Sequence, residues 1–361
     1  MPIDLRTQKL AKLIVDYSVK VKKGENVIIS GSAEAQEFIT ALYKEVILRG
    51  AHPILRVSLP NLAPFFYKHA SKEQIEKFPE HWDYTVKHAQ KYIGIHTENN
   101  TRELTETDPE KMIAREKVTF PISDYIVNQK DKILRCTVGF PCQSLAQEAE
   151  MSLTDYEKFV FSSCLQDWKV LGKQIDKILN KFKKGKKVHL LGENVDLKME
   201  IHGRKAVADK GEENMPGGEI FMAPVRESLE GWIKFEYPAI RDGKEVTDIK
   251  LVFKNGKVVE FSASKNEDFL KKMLETDENS SYVGELGIGM NPQIKRFTKN
   301  LLFDEKIGGT IHLALGMAYK ENLPEGETRD SAIHWDIVKD MKKGKIILDG
   351  KVIQEKGLWK I

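Results

Sequence analysis

The chain has 361 residues, with 57 Lys and Arg against 54 Asp and Glu, so its net charge is only +3 although 31% of it is charged. That length predicts two domains with cores large enough to fold without staples, and the even mixing of signs excludes the single basic face that nucleic-acid binding needs. Three cysteines without a Cys-x-x-Cys pair exclude a disulfide framework, and no run is long and apolar enough for a signal core or membrane span. The expectation is a cytoplasmic protein with no membrane or nucleic-acid partner.

From Leu5 to Val21, Leu10, Leu13, Ile14 and Tyr17 share one helical face. Lys23-Gly24-Glu25 then turns into Val27-Ile28-Ile29, a strand. A helix with Phe38, Leu42 and Val46 in register follows and stops at Gly50. Pro53 to Val57 reads as a second strand. Strand, helix and strand at this spacing predict a βαβ unit in a parallel sheet, with further strands at Tyr92–His96 and Ile133–Thr137. Gly31-Ser32 sits where phosphate-binding loops begin, but no Gly-x-Gly-x-x-Gly or Walker pattern accompanies it. It reads as a strand-to-helix turn, and no cofactor-binding residue is assigned.

Thr154 and Glu157 have capping-box spacing and open a long helical stretch, in which Trp168, Leu171, Ile175, Ile178 and Phe182 repeat toward Lys184. The charge run Lys183 to Lys187 reads as a solvated helix end and linker. This places an N-terminal α/β domain with a mainly parallel sheet at 1–184 and a C-terminal α+β domain with mainly antiparallel strands at 185–361. In the second, Leu197, Met199 and Ile201 alternate with polar residues. Asn255-Gly256 and Asp349-Gly350 each separate two apolar runs as hairpin turns, and one helix, Asn266 to Leu274, interrupts.

The chemistry concentrates in this second part. His334-Trp335-Asp336 puts an imidazole and a carboxylate on one face of a strand, where both can point at one ion. His312 is set in the apolar run Ile311 to Gly316, and by itself would read as a core histidine. Tyr319 follows, where its phenol can donate to a developing oxyanion. Glu219 enters a strand directly after the Pro216-Gly217-Gly218 turn. Glu285 stands among apolar and glycine residues, where an unpaired carboxylate is costly to bury. Glu305 adds an acid just before His312. One catalytic zinc needs about three protein ligands, and more are present. The pattern predicts two divalent cations (Zn, Co, Mn or Mg), bridged by a carboxylate and a hydroxide that attacks the scissile carbonyl.

Taken in order, Met215-Pro216-Gly217-Gly218-Glu219-Ile220-Phe221, Gly284-Glu285-Leu286-Gly287, Leu302-Phe303-Asp304-Glu305, His312 to Tyr319 and Ile333-His334-x-Asp336 resemble the aminopeptidase T and aminopeptidase S family of dinuclear metallo-aminopeptidases. The resemblance covers most of the chain and is strongest from Gly192 onward. It implies that Glu219, Glu285, His312, His334 and Asp336 are metal ligands, with Glu285 the bridge. Tyr319 matches the active-site tyrosine, and Glu305 an acid that is either ligand or base. It further implies peptide substrates shortened from the amino terminus, and a homodimer. The segments Lys320 to Asp330 and Glu285 to Glu305 are short for the family. From the residues alone, a different metallohydrolase acting on small amides or esters is the alternative. A non-enzymatic binding protein is the third reading, disfavoured by the complete set of acids and histidines.

Overall fold

A computed structural model describes residues 3–241 and 243–360. The chain divides into two compact units, one of Met1–Gln166 with Gly211–Gly217, the other of Asp167–Lys210 with Gly218–Ile361.

The first unit is α/β. Strands β1 (Asn26–Ser32), β2 (His52–Ser58), β3 (Lys91–His96) and β4 (Leu134–Gly139) pair in parallel in the order β2-β1-β3-β4. Val27, Ile28 and Ile29 are wholly buried, which explains their unbroken apolar run: a central parallel strand is covered on both faces. The helix Gln36–Leu48 buries Phe38, Leu42 and Val46 as its periodicity demands. The amino-terminal helix runs Leu5–Leu13 and continues as a π-helical segment, Ile14–Ser18. Two features escaped the pattern. Asn214–Met215 comes back to pair with β4 as a fifth parallel strand. Helices also form at Leu62–His69, Lys72–Glu76, Glu80–Lys87 and Pro109–Asn128. Leu62–His69 buries none of its residues, although Leu62, Phe65 and Phe66 share one face.

The expected capping box at Thr154 and Glu157 is corrected. The helix is Leu153–Cys164, and Ser152 caps it, its hydroxyl accepting from the Asp155 N–H at 3.1 Å. The long helical stretch is also two helices. Asp167 accepts from the N–H groups of Lys169 and Val170 and starts a second one, Trp168–Phe182, whose Trp168, Leu171, Ile175, Ile178 and Phe182 are all buried. A carboxylate that satisfies a new helix start competes with continuation of the previous helix.

The second unit carries two main antiparallel sheets. In the eight-stranded one, both expected hairpins form: Lys250–Lys254 with Lys257–Ser262, and Gly344–Leu348 with Lys351–Glu355. Their turn residues are left-handed, with φ of 50° and 78° at Asn255-Gly256 and 50° and 79° at Asp349-Gly350. This is the turn whose twist matches that of the flanking strands. The five-stranded sheet runs His334–Asp340, Thr310–Gly316, Val283–Gly289, Glu219–Met222 and Val207–Asp209. One of its faces is apolar, built from buried Ile220, Met222, Leu286, Ile288, Ile311, Leu313 and Leu315. Among the described residues, no helix is long and apolar enough to cross a membrane.

The two hairpin glycines differ in their surroundings. A Cβ on Gly350 meets nothing, whereas one on Gly256 would overlap the Arg226 carbonyl. Gly350→Ala should therefore cost about 1 kcal/mol, the penalty of a left-handed alanine. Gly256→Ala should cost about 1–3 kcal/mol more through overpacking. Urea denaturation of both variants checks the order, and equal losses would contradict it.

Candidate metal centre

The other face of the five-stranded sheet gathers the ionisable residues, and its register explains how they fit. Glu219 is paired with Gly289, His312 with Gly287 and His334 with Gly316, while Glu285 and Asp336 flank Ala314. On one side each of these candidates thus faces a residue with little or no side chain, which leaves room for them to converge, while Val338 and Asp209 face His312 and Glu219 from the other side. A Cβ on Gly287 would overlap the His312 ring itself. Glu219 and His334 open their strands, but Glu285, His312 and Asp336 lie within theirs. A strand-end position is therefore not needed for access.

All seven residues singled out from the sequence come together. The His312 Nε2 lies 3.2 Å from Glu285 Oε1 and 3.6 Å from Glu219 Oε2. The His334 Nε2 lies 3.9 Å from Glu285 Oε2 and 3.5 Å from Asp336 Oδ2. Ligand atoms of Glu219, Glu305 and His312 lie within 4.8 Å of one another, and so do those of Glu285, His312 and Asp336. Beside them, the Tyr319 ring packs at 4.9 Å from the His334 ring and 6.0 Å from Phe221. Trp335 turns to the apolar side and meets Phe269 edge-on.

The sequence reading missed Lys306. It is wholly buried, contacts Glu305 Oε1 and lies 3.4 Å from Glu219 Oε1. In the sequence, Asp304-Glu305-Lys306 resembles a solvated charge run. Only the apolar Leu301-Leu302-Phe303 before it and Ile307 after it hinted at burial.

Burial dominates the electrostatics. It pushes the Glu219 carboxyl up to about 8, against the pull of Lys306. Burial alone would lower the Lys306 ammonium, but Glu219, Glu305 and Asp209 outweigh it and raise it. His312 is likewise penalised by burial, yet its hydrogen bond to Glu285 and the charges of Asp336 and Glu219 lift it to about 10. Burial also raises the Tyr319 phenol, with the site carboxylates adding to the effect, so it stays a proton donor. His334 donates from Nδ1 to the Met317 carbonyl at 2.9 Å and turns Nε2 to the carboxylates; burial penalises its charged form, but Asp336 and Glu285 outweigh that and raise the imidazole.

These residues fit divalent cations. Glu219 Oε2, Glu285 Oε2 and Asp336 Oδ1 are buried without a hydrogen-bond partner, a costly condition that coordination would relieve. Imidazole nitrogens with carboxylate oxygens are the donors that Zn²⁺, Co²⁺ and Mn²⁺ accept.

The sequence profile of the thermophilic metalloprotease (M29) family matches residues 3–359. The chain belongs to this family. It is 27% identical over 408 aligned positions to aminopeptidase AmpS of Bacillus subtilis, with 97% of each chain covered. Over a 136-residue stretch, 34% of this chain and 33% of its relative, it is 37% identical to aminopeptidase T of Thermus aquaticus. The solved structure of wild-type AmpT from Thermus thermophilus superposes with a TM-score of 0.86 over 99% of both chains, at 23% identity. A 2,5-dihydroxypyridine dioxygenase from Pseudomonas putida also shares the fold, with a TM-score of 0.60 over 99% of this chain and 98% of that one, at 12% identity. In this metalloprotease family member, the architecture therefore does not by itself fix the reaction.

Gly287→Ala should expel His312 from its place and lower bound metal, measured by elemental analysis of the purified protein, while far-UV circular dichroism is retained. Full metal content in this variant would show that the ring has another position from which to bind.

Proposed function

We propose that this protein is a metal-dependent aminopeptidase, hydrolysing the first peptide bond of its substrates at a dinuclear centre built on the five-stranded sheet. The observation that carries the reading is the convergence of Glu219, Glu285, Glu305, His312, His334 and Asp336, with buried oxygens lacking partners, in a chain that the metalloprotease profile matches almost throughout. Relatives named as aminopeptidases support the exopeptidase assignment.

Charge supports two ions over one. Asp209 pairs with Glu219 in the sheet and is also buried. With Glu219, Glu285, Glu305 and Asp336 it makes five carboxylates, against the single ammonium of Lys306. If all are ionised and the histidines neutral, five negative charges less one positive leave four to balance, which two divalent cations match. Glu285 would help to hold both ions, because each of its oxygens faces a different histidine. His312 stands in both ligand groups, but an imidazole Nε2 has one lone pair and serves one ion.

Bound there, the cations would acidify a water and polarise the scissile carbonyl. The remaining roles fall to the chain. Tyr319, protonated and beside His334, donates a hydrogen bond to the oxygen on which charge develops. Glu305, paired with Lys306, is placed to accept a proton and return it to the leaving amine. Lys306 orients Glu305 and Glu219 from the protein side.

A homodimer and a cytoplasmic setting belong to the same reading. Leu55, Leu59, Leu62 and Phe65 are exposed apolar residues at one edge of the first unit, an area that a second copy would cover. A monomer in sedimentation velocity would contradict the dimer. The three cysteines are buried thiols, as a reducing compartment allows.

Peptides with a free amino terminus should lose their first residue, amino-blocked peptides should not, and chelation should abolish the release. Equal cleavage of blocked peptides or of simple amides would point to a different metallohydrolase.

Glu285→Ala should lose metal and activity together. Tyr319→Phe should retain metal and lower kcat by roughly ten- to a thousandfold, the range expected for one oxyanion donor. Unchanged kcat would remove Tyr319 from the mechanism.

A further inference from the structure

The Gly31-Ser32 turn is not used by the metal centre. Within the first unit, the carboxyl ends of β1, β2 and β3, with Thr137 of β4, enclose a pocket of about 530 Å³. That volume lies within the roughly 300–1,000 Å³ of small-molecule sites. The strand order β2-β1-β3-β4 reverses at β1, since β2 is added on one side and the later strands on the other. Connections that leave a parallel sheet in opposite directions open a crevice between the two strands, and ligands of open α/β sheets bind there.

The pocket lining contains no carboxylate. It presents the Arg56 guanidinium, the His96 imidazole and the hydroxyls of Ser32 and Thr137, while the Ser58 hydroxyl donates to the Gly31 carbonyl. Glu98 acts on His96 from outside the lining. Arg56 rests on Trp82, with its guanidinium carbon 4.1 Å from the ring centroid, and among the described residues it has no carboxylate partner. Stacked in this way, the guanidinium keeps its donor edge for an anion. Ser32 accepts from the Glu34 N–H, so its own proton is available to donate.

We propose that this pocket binds a phosphate-bearing small molecule, its phosphate held by Arg56 together with the Ser32 and Thr137 hydroxyls from the neighbouring strand ends. Donors reaching in from several strands suit the tetrahedral oxygens of phosphate better than a planar carboxylate, which one guanidinium satisfies. The turn lacks the glycine pattern of a nucleotide loop, and side chains supply donors that backbone amides would otherwise provide.

The test is calorimetric titration of the full chain with inorganic phosphate, ribose 5-phosphate and ribose. Phosphate should bind and ribose should not. Arg56→Gln and Thr137→Val should each weaken phosphate binding about tenfold or more, as expected when a charge-assisted hydrogen bond is removed. Glu285→Ala, at the metal centre, should leave it unchanged. Tighter binding of ribose 5-phosphate than of phosphate would support an organic phosphate ligand, and equal binding would support the free anion. Absence of phosphate binding at millimolar concentration, or equal binding by Arg56→Gln and the unaltered chain, would overturn the site.

Discussion

The constraint on which the second unit depends is the burial of ionic groups on one face of a sheet whose other face is apolar. Because side chains alternate, a slip of one residue in pairing would turn His312, Ala314 and Gly316 into the apolar layer and bring Ile311, Leu313 and Leu315 to the acids. The apolar residues that touch no ligand therefore hold the register that assembles the centre. Leu286 and Ile288 do the same for Glu285. The glycines complete the arrangement from the site face, since a side chain on Gly287 would occupy the space of the imidazole. Packing on one face and vacancy on the other are two requirements of one strand pairing.

This division explains what the sequence revealed. His334 and Asp336 were legible because spacing two apart has a single meaning in a strand, and Asn255-Gly256 and Asp349-Gly350 because their turn type demands those residues. Glu219 showed itself through the glycine turn before it. Lys306 did not, because a lysine beside two acids has the same local pattern whether solvated or buried. Its environment is set by Glu219, 87 residues away in the chain. The helix Leu62–His69 stayed hidden because an apolar run of eight residues is too short to tell helix from strand, and Asn214–Met215 because two residues carry no period. The cap at Ser152 was misassigned since Ser152-x-x-Asp155 and Thr154-x-x-Glu157 overlap, and only the backbone geometry chooses between them. Local signals thus located the ligand candidates, while long-range contacts decided their charge environment.

A dioxygenase shares the fold, so the architecture does not by itself specify the chemistry. Selection must come from the number of acids, from what pairs with them, and from the proton donors nearby. Here the same burial that raises the Glu219 carboxyl to about 8 and lets its neighbours hold His312 protonated to about 10 puts protons where cations would bind. Metal binding at such a centre releases protons and relieves unpaired buried oxygens in a single step, which couples occupancy of the centre to the stability of the sheet that builds it. Lys306 limits that coupling. A permanently placed ammonium against Glu219 and Glu305 compensates part of the charge before any ion arrives, so the strands can pair in the ion-free chain and present a formed site to the metal.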